Sequence, residues 1–166
     1  MKPYRILFLC NGNSARSIIA EFLMKARGKD RFAAFSAGAN PRPEPNPMAL
    51  NVLQHRFHID TSGAHSKPLS HFEGQSFDFI VTLCDKAREQ CPTWPGNPIF
   101  AHWQSPDPAA FEGDERQRET FFVRVAEQIS NRITYFLLLP LDKIETQRQA
   151  FAEAVGAIGQ RDPIQT

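Results

Sequence analysis

This chain of 166 residues has no excess of either charge and no long apolar run. Nineteen basic residues against eighteen acidic ones leave a formal net charge of +1, and like charges do not gather in blocks of five or six. These features argue against a nucleic-acid partner and against a membrane-surface partner. No apolar run approaches the ~20 residues that a membrane-spanning helix needs. The first residues do not resemble a signal peptide, so we expect a cytoplasmic protein.

Cysteine is also scarce, with three residues in the chain. An odd number of cysteines in a reducing compartment favours a chemical role over a structural disulfide. The five histidines show no i, i+4 pair, and we interpret them as surface or loop residues rather than zinc ligands. We therefore predict no bound metal, and the cysteines become the main candidates for chemistry.

Strand and helix patterns alternate along the chain, which is typical of a parallel sheet with helices on both faces. Apolar residues recur at helical spacing from Ser14, and Gly28 is predicted at the C′ position that ends this helix. The fold class that follows is α/β with a four-stranded parallel sheet. The predicted strands are Tyr4 to Leu9, Phe32 to Ala37, Phe77 to Leu83 and Ile99 to Trp103.

Two later helices have clear start signals. Asn46 is a predicted N-cap with Pro47 at the first helical position, and Asp114 with Gln117 resembles a capping box. Beyond Pro140, apolar residues recur from Leu141 to Ile158, which predicts an amphipathic helical extension. We expect residues 1–140 to form the catalytic domain and residues 141–166 to be an extension and tail of that domain. Packing onto its own core is favoured over a dimer interface, so we expect a monomer.

The segment between the first strand and the first helix contains Cys10 and Arg16. Ligands bind at this edge of doubly wound sheets, where backbone N–H groups and the helix N-terminus attract an oxyanion. A guanidinium fork can hold two oxygens of that anion, and the same field favours a thiolate at the cysteine. The candidate oxyanion-binding residues are Asn11, Gly12, Asn13, Ser14, Ala15, Arg16 and Ser17.

The segment Cys10 to Ser17 resembles the phosphate-binding loop of the low-molecular-weight protein tyrosine phosphatase superfamily. The similarity extends through Phe35 to Gly38, the Asn46-Pro47 helix start, Ser66-Lys67 and Pro106-Asp107-Pro108. The resemblance implies a flavodoxin-like winding of the sheet. It also implies Cys10 as the nucleophile, Arg16 as the oxyanion clamp, Ser17 as a hydroxyl near the thiolate and Asn13 as a loop-shaping residue.

Asp107 lies between two prolines that stiffen its loop. In isolation such an aspartate is usually a turn residue, but the resemblance implies the acid that gives a proton to the leaving oxygen. Phosphotyrosine phosphatases of this superfamily have tyrosines after the Asp-Pro pair, whereas this chain has Ala109-Ala110-Phe111. This departure argues against an aromatic wall around a phosphotyrosine ring.

Cys84 and Cys91 follow the third predicted strand, at the same edge of the sheet as Cys10. They resemble the redox cysteines of thioredoxin-coupled arsenate reductases. The implied reaction is reduction of arsenate to arsenite, in which Cys10 forms an adduct and a disulfide passes from Cys10–Cys84 to Cys84–Cys91. A thioredoxin-type reductant is expected, with glutaredoxin or glutathione as the alternative. Two other functions stay open: a phosphotyrosine or aryl phosphatase, and a non-catalytic oxyanion sensor.

Some reductases of this branch hold a potassium ion. The resemblance places Asn13, Glu21 and Ser36 in that ion's site, together with an aspartate where this chain has Gly63-Ala64-His65. We therefore do not predict the potassium ion.

Overall fold

A computed structural model describes residues 2–165. Met1, the first residue of the predicted catalytic domain, and Thr166, the last residue of the predicted extension, lie outside the described residues. Four parallel strands form one sheet in the order β2-β1-β3-β4. Their bounds are β1 Tyr4–Cys10, β2 Phe32–Gly38, β3 Phe79–Thr82 and β4 Ile99–His102. The predicted fold class is confirmed. Because β1 lies between β2 and β3, the loops that follow it open at a topological switch point, where α/β sheets bind ligands.

The third strand is shorter than the predicted range Phe77 to Leu83. Phe77 precedes the paired residues, and its ring packs against Phe35 at 5.7 Å and Trp94 at 5.6 Å between ring centroids. Leu83 lies beyond the strand but still donates its backbone N–H to the carbonyl of Leu9 at 2.8 Å. The apolar pattern of this segment therefore reflects burial at both ends of the strand as well as within it.

The described part of the chain contains five α-helices, which connect and follow the strands. The predicted N-cap at Asn46 is present, with its side chain accepting the backbone N–H of Met48 at 2.9 Å. The predicted capping box of Asp114 and Gln117 is also present. No helix within the described residues is long and apolar enough to cross a membrane. The helices are α1 Arg16–Gly28, α2 Pro47–Arg56, α3 Asp85–Glu89, α4 Glu115–Leu137 and α5 Arg148–Ala157.

Gly28 is not the C′ residue that the sequence pattern predicts. It is the last residue of α1 with a helical φ of −74°, and Lys29 takes the positive φ of 48°. A Cβ at position 28 would lie 2.9 Å from the Cβ of Phe32, closer than real side chains approach. Close packing against the start of β2, rather than left-handed backbone, explains the glycine.

Aromatic side chains fill one face of the sheet beneath α4. Phe136 of α4 packs against Phe79 at 5.1 Å, Phe32 at 5.3 Å and Trp103 at 6.0 Å between ring centroids. The opposite face holds Phe35, whose ring is covered by Phe72 of the 3-10 turn Leu69–Phe72. Burial on both faces accounts for the continuous apolar runs of the central strands.

The segment Leu141 to Ile158 is not one continuous helix. It comprises a 3-10 turn at Leu141–Lys143 and then α5, because the polar residues 145–147 interrupt the apolar spacing. The ring of Phe151 lies 6.1 Å from that of Phe79, and the indole of Trp103 donates to the carbonyl of Val155 at 2.9 Å. This extension therefore packs against the sheet at β4.

Candidate active site

The loop after β1 turns its carbonyl groups away from its centre. The carbonyl of Asn11 accepts the backbone N–H of Asn40 at 2.8 Å, and the carbonyl of Gly12 accepts that of Arg42 at 2.9 Å. The carbonyl of Ser14 likewise accepts the N–H of Asn46 at 2.8 Å. The segment between β2 and α2 thus fixes the outer side of the loop.

The backbone N–H groups of this loop are left for the inner side. Within residues 2–165, the N–H groups of residues 11, 12 and 14–17 donate no hydrogen bond. Ala15 is the N-cap of α1 and provides no capping side chain, so the helix N-terminus is also open. Convergent N–H groups at a helix N-terminus form a nest for an anion.

Cys10 is the last residue of β1 and lies at the base of this nest. Its Sγ is 2.8 Å from the Oγ of Ser17 and accepts the backbone N–H of Asn13 at 3.2 Å. Both groups can donate to a sulfur that carries negative charge. The structure therefore gives the sulfur two donors suited to a thiolate, with only 2% of the residue exposed.

Asn13 connects the loop to two other segments. It has a positive φ of 45°, a conformation that asparagine tolerates better than most residues. Its side-chain amide donates to Ser17 at 2.7 Å and to Ser36 at 2.9 Å, and its Oδ1 accepts the N–H of Lys67. Gly38 makes this approach possible, because a Cβ there would lie 2.8 Å from the Asn13 nitrogen.

Arg16 and Asp107 line the same cavity as Cys10. Arg16 is 8% exposed, and its Nη1 donates to the carbonyl of Ser105 at 3.0 Å. Its Nη2 lies 3.9 Å from Oδ2 of Asp107, whose other oxygen accepts the N–H of Ala109. The side chain of Asp107 is 42% exposed, so it faces the mouth. The sequence analysis did not identify Ser105 as a site residue, because it binds Arg16 through its backbone carbonyl, a group that every residue has.

Among residues 2–165, no tyrosine lines the cavity. Ala109 lines it instead, whereas Phe111 stacks on Phe121 of α4 with ring centroids 4.5 Å apart. The aromatic side chain that the sequence offers after Asp107 therefore packs on the helix rather than lining the cavity.

Cys84 and Cys91 flank the short helix α3. Cys84 is the N-cap, and its Sγ accepts the backbone N–H of Ala87 at 3.4 Å. Cys91 follows the helix and is half-buried, and burial raises the pKa of its thiol, although the indole of Trp94 opposes that shift. Since Leu83 pairs with Leu9, the structure brings Cys84 to the same sheet edge as Cys10. All three cysteines are free thiols.

His102 is not a surface or loop residue, as the sequence interpretation had it. It is the last residue of β4, with a side chain only 20% exposed. Its Nδ1 lies 2.7 Å from the hydroxyl of Thr82, and its Nε2 lies 2.8 Å from Gln104 and 3.5 Å from Asp85. Pairing of β3 with β4 buries this ring beside the first residue of α3, a contact that sequence spacing does not reveal.

The groups implied for a potassium ion do not fit one in this chain. Lys67 is 4% exposed, and its ammonium lies 3.9 Å from Oε1 of Glu21 and donates to the carbonyl of His65 at 2.7 Å. Ser36 donates to the same oxygen of Glu21 at 3.3 Å. Burial lowers the pKa of Lys67, and the charge of Glu21 opposes that shift. The ammonium supplies the positive charge beside Glu21. Within the described residues, no three histidine, cysteine or acidic side chains form a metal cluster.

We expect Lys67→Met to destabilise the protein by about 3 kcal/mol, because it leaves the buried carboxylate of Glu21 without its buried partner. Lys25→Met is the matched control, since Lys25 also pairs with Glu21 at 3.6 Å but from a half-exposed position. It should cost less than about 1 kcal/mol. Urea unfolding of the two variants gives the comparison, and equal losses would contradict the role assigned to Lys67.

Arg132 of α4 links the site loop to the C-terminal extension. It is 2% exposed and donates to the carbonyls of Gln104 at 2.7 Å, Gly159 at 2.9 Å and Arg161 at 3.0 Å. Burial lowers the pKa of its guanidinium. The segment before Asp107 is therefore held by a buried cation on one side and by Arg16 on the other.

A cysteine at the end of a parallel strand, an anion nest and an arginine clamp define an oxyanion-binding thiol protein. Residues 5–150 match the low molecular weight phosphotyrosine protein phosphatase family, and the chain belongs to that family. The resemblance expected from the sequence is confirmed.

Relatives of the chain include proteins named arsenate reductase. The arsenate reductase of Bacillus subtilis is 36% identical over 131 residues, covering 79% of this chain and 93% of that protein. The glutaredoxin arsenate reductase of Synechocystis is 31% identical over 132 residues, covering 78% and 95%. A solved arsenate reductase in a phosphate-binding state has a TM-score of 0.67 and 29% identity, covering 79% of this chain and 94% of that one.

Proposed function

We infer that this chain is an arsenate reductase that passes a disulfide along its three cysteines. The observation that carries this function is the placement of Cys84 at the same sheet edge as Cys10, with Cys91 beyond the short helix. Hydrolysis of a phosphoester needs only the first thiol, whereas reduction of arsenate needs two electrons from a second one. The named relatives support the same activity.

The first step makes a bond between Cys10 and arsenic. The thiolate attacks bound arsenate, an As–O bond breaks, and Asp107 gives the proton with which that oxygen leaves as water. Arg16 and the loop N–H groups hold the remaining oxygens, so they stabilise the charge that develops in the transition state. These roles are supported by the cavity that Cys10, Arg16 and Asp107 share.

The second and third steps move electrons from sulfur to arsenic. The thiolate of Cys84 attacks the sulfur of Cys10, the S–As bond breaks with its electron pair on arsenic, and arsenite leaves. Cys91 then attacks Cys84, which frees Cys10 as a thiolate and leaves a Cys84–Cys91 disulfide. Because burial raises the pKa of Cys91, we expect this last exchange to become faster as pH rises.

The disulfide must finally be reduced by an external thiol. We propose that a thioredoxin-type reductant attacks the disulfide at Cys91, the most exposed of the three cysteines. Glutaredoxin is the alternative electron donor, because one relative is named a glutaredoxin arsenate reductase. The cycle requires cysteines that start reduced, which supports a cytoplasmic location.

We also propose that residues 1–140 form the catalytic domain and that residues 141–166 are an extension of it in a monomer. The support is the packing of α5 on the sheet and the contacts of Arg132 with the carbonyls of Gly159 and Arg161. A phosphatase is the second candidate, because Cys10, Arg16 and Asp107 suffice for hydrolysis. The lack of tyrosines at the mouth favours small substrates in that case.

A steady-state assay with arsenate tests the function directly. Reduced protein is supplied with a thioredoxin system or with glutathione and glutaredoxin, and arsenite release is measured. We expect arsenite release with at least one system, and the faster one identifies the donor. Turnover with neither, together with rapid hydrolysis of p-nitrophenyl phosphate, would favour the phosphatase.

The Cys84–Cys91 disulfide should loosen α3. The two cysteines are seven residues apart and would be about 10.5 Å apart along a continuous helix. A disulfide needs Cα atoms within about 7 Å, and the short helix α3, Asp85–Glu89, lies between the two cysteines, so we expect α3 to loosen when this disulfide forms. In the Cys10→Ser variant, we expect faster amide exchange at residues 84–95 after oxidation, with Tyr4 to Leu9 unchanged. Equal protection in both redox states would contradict this motion.

A further inference from the structure

The loop between β2 and α2 brings a second arginine to the oxyanion cavity. Arg42 lies between Pro41 and Pro43, which restrict the backbone on either side. Its backbone N–H donates to the carbonyl of Gly12 at 2.9 Å. This hydrogen bond fixes Arg42 directly against the loop that surrounds Cys10.

The side chain of Arg42 passes close to Gly12. A Cβ added at Gly12 would lie 3.1 Å from Cγ and 3.6 Å from Nε of Arg42. Arg42 lines the same cavity as Cys10, Arg16 and Asp107. A side chain at position 12 would therefore crowd Arg42, whose side chain would have to shift to make room for it.

The guanidinium of Arg42 is uncommitted, in contrast to that of Arg16. Arg16 is nearly buried and engages Ser105 and Asp107. Within the described residues, the Arg42 side chain makes no ion pair with a carboxylate and donates no hydrogen bond. It is a solvent-exposed cation at the rim of a site that attracts anions. An anion bound in the nest offers it oxygens that no protein group supplies.

We propose that Arg42 is a specificity-determining residue that binds an outer oxygen of a free tetrahedral oxyanion and disfavours aryl esters. In free arsenate or phosphate every oxygen can accept from a guanidinium, whereas in an aryl ester one outer oxygen carries an apolar ring. Ala109 provides no aromatic surface for such a ring. This inference rests on the proposed function, since it explains why an arsenate reductase selects the inorganic anion over larger esters.

The test compares Arg42→Gln with Arg31→Gln, an exposed arginine in the turn before β2 at the other edge of the sheet. We expect Arg42→Gln to raise the KM for arsenate by roughly tenfold with little change in kcat, because the variant loses one charge-assisted hydrogen bond to the anion. The KM for p-nitrophenyl phosphate should change by less than roughly twofold. Arg42→Lys should recover part of the arsenate affinity, because it keeps the charge but not the fork.

Titration of the reduced protein with inorganic phosphate separates this inference from the reductase assignment, because binding needs no turnover. A roughly tenfold weaker affinity for phosphate in Arg42→Gln, with Arg31→Gln unchanged, supports the role of Arg42 even if arsenate is not reduced. Unchanged phosphate affinity would overturn the proposal. Equal losses for arsenate and p-nitrophenyl phosphate would also overturn it, since Arg42 would then not distinguish the two substrates.

Discussion

Cys10→Ser should abolish both arsenate reduction and hydrolysis of p-nitrophenyl phosphate. Each reaction begins with attack by the thiolate of Cys10, and a serine hydroxyl at that position is a far weaker nucleophile at neutral pH. The serine can keep the contacts with Ser17 and Asn13, so we expect a folded protein that still binds phosphate. Measurable turnover of either substrate by a folded variant would show that Cys10 is not the nucleophile.

Arg16→Lys should be nearly as severe, with kcat lowered roughly 10²- to 10³-fold. Preorganised stabilisation of a developing oxyanion is worth about 3–4 kcal/mol, and lysine keeps the charge without the planar fork. Arg42→Lys is the comparison, since Arg42 lies at the rim and Arg16 in the wall of the cavity. Equal kinetic effects of the two substitutions would contradict the different roles assigned to them.

Cys84→Ser and Cys91→Ser should each stop multiple-turnover arsenate reduction while leaving hydrolysis of p-nitrophenyl phosphate close to that of the parent protein. Hydrolysis uses Cys10, Arg16 and Asp107, whereas the cascade needs all three thiols. Loss of Cys91 has a distinct signature, because the Cys10–Cys84 disulfide can still form once and should accumulate. Its detection by peptide mapping after addition of arsenate checks the order of the thiols.

If Cys84→Ser reduced arsenate as fast as the parent protein, the proposed transfer of a disulfide along the three cysteines would be wrong. A matched loss of hydrolysis and reduction in both variants would point to damage of the fold instead, which thermal unfolding of the variants can reveal. The two cysteines differ in burial, with Cys84 6% exposed and Cys91 half-buried. We therefore expect Cys84→Ser to have the larger effect on stability.

The parts of the fold that the sequence predicts are those set by local pattern. The apolar run at β1, the N-cap at Asn46 and the capping box at Asp114 depend on neighbouring residues, and each is present. The C′ position predicted for Gly28 was wrong, because the glycine is required by close packing against Phe32, a residue of the next strand. The extension was predicted to be helical from its apolar spacing, which does not show that the helix begins only at Arg148 after a 3-10 turn at Leu141–Lys143.

The candidate site likewise contains residues that local sequence predicts and residues that only tertiary contacts bring to it. Cys10 to Ser17 is one continuous segment, so strand, loop and helix N-terminus can be read together. Lys67, Ser105 and Arg42 reach the site from three separate loops whose paths depend on tertiary contacts. Lys67 in particular supplies a buried charge beside Glu21, although the two residues are far apart in sequence. No spacing rule connects these residues to the cysteine.

Thiol titration after one exposure to arsenate, without any external reductant, tests the central claim most directly. The reduced protein has three free thiols, and we predict that arsenate leaves a single one, Cys10, with one arsenite released for each chain. Peptide mapping should then find the Cys84–Cys91 disulfide, and inorganic phosphate in place of arsenate should leave every thiol titratable. Full retention of the thiols after arsenate would contradict the account.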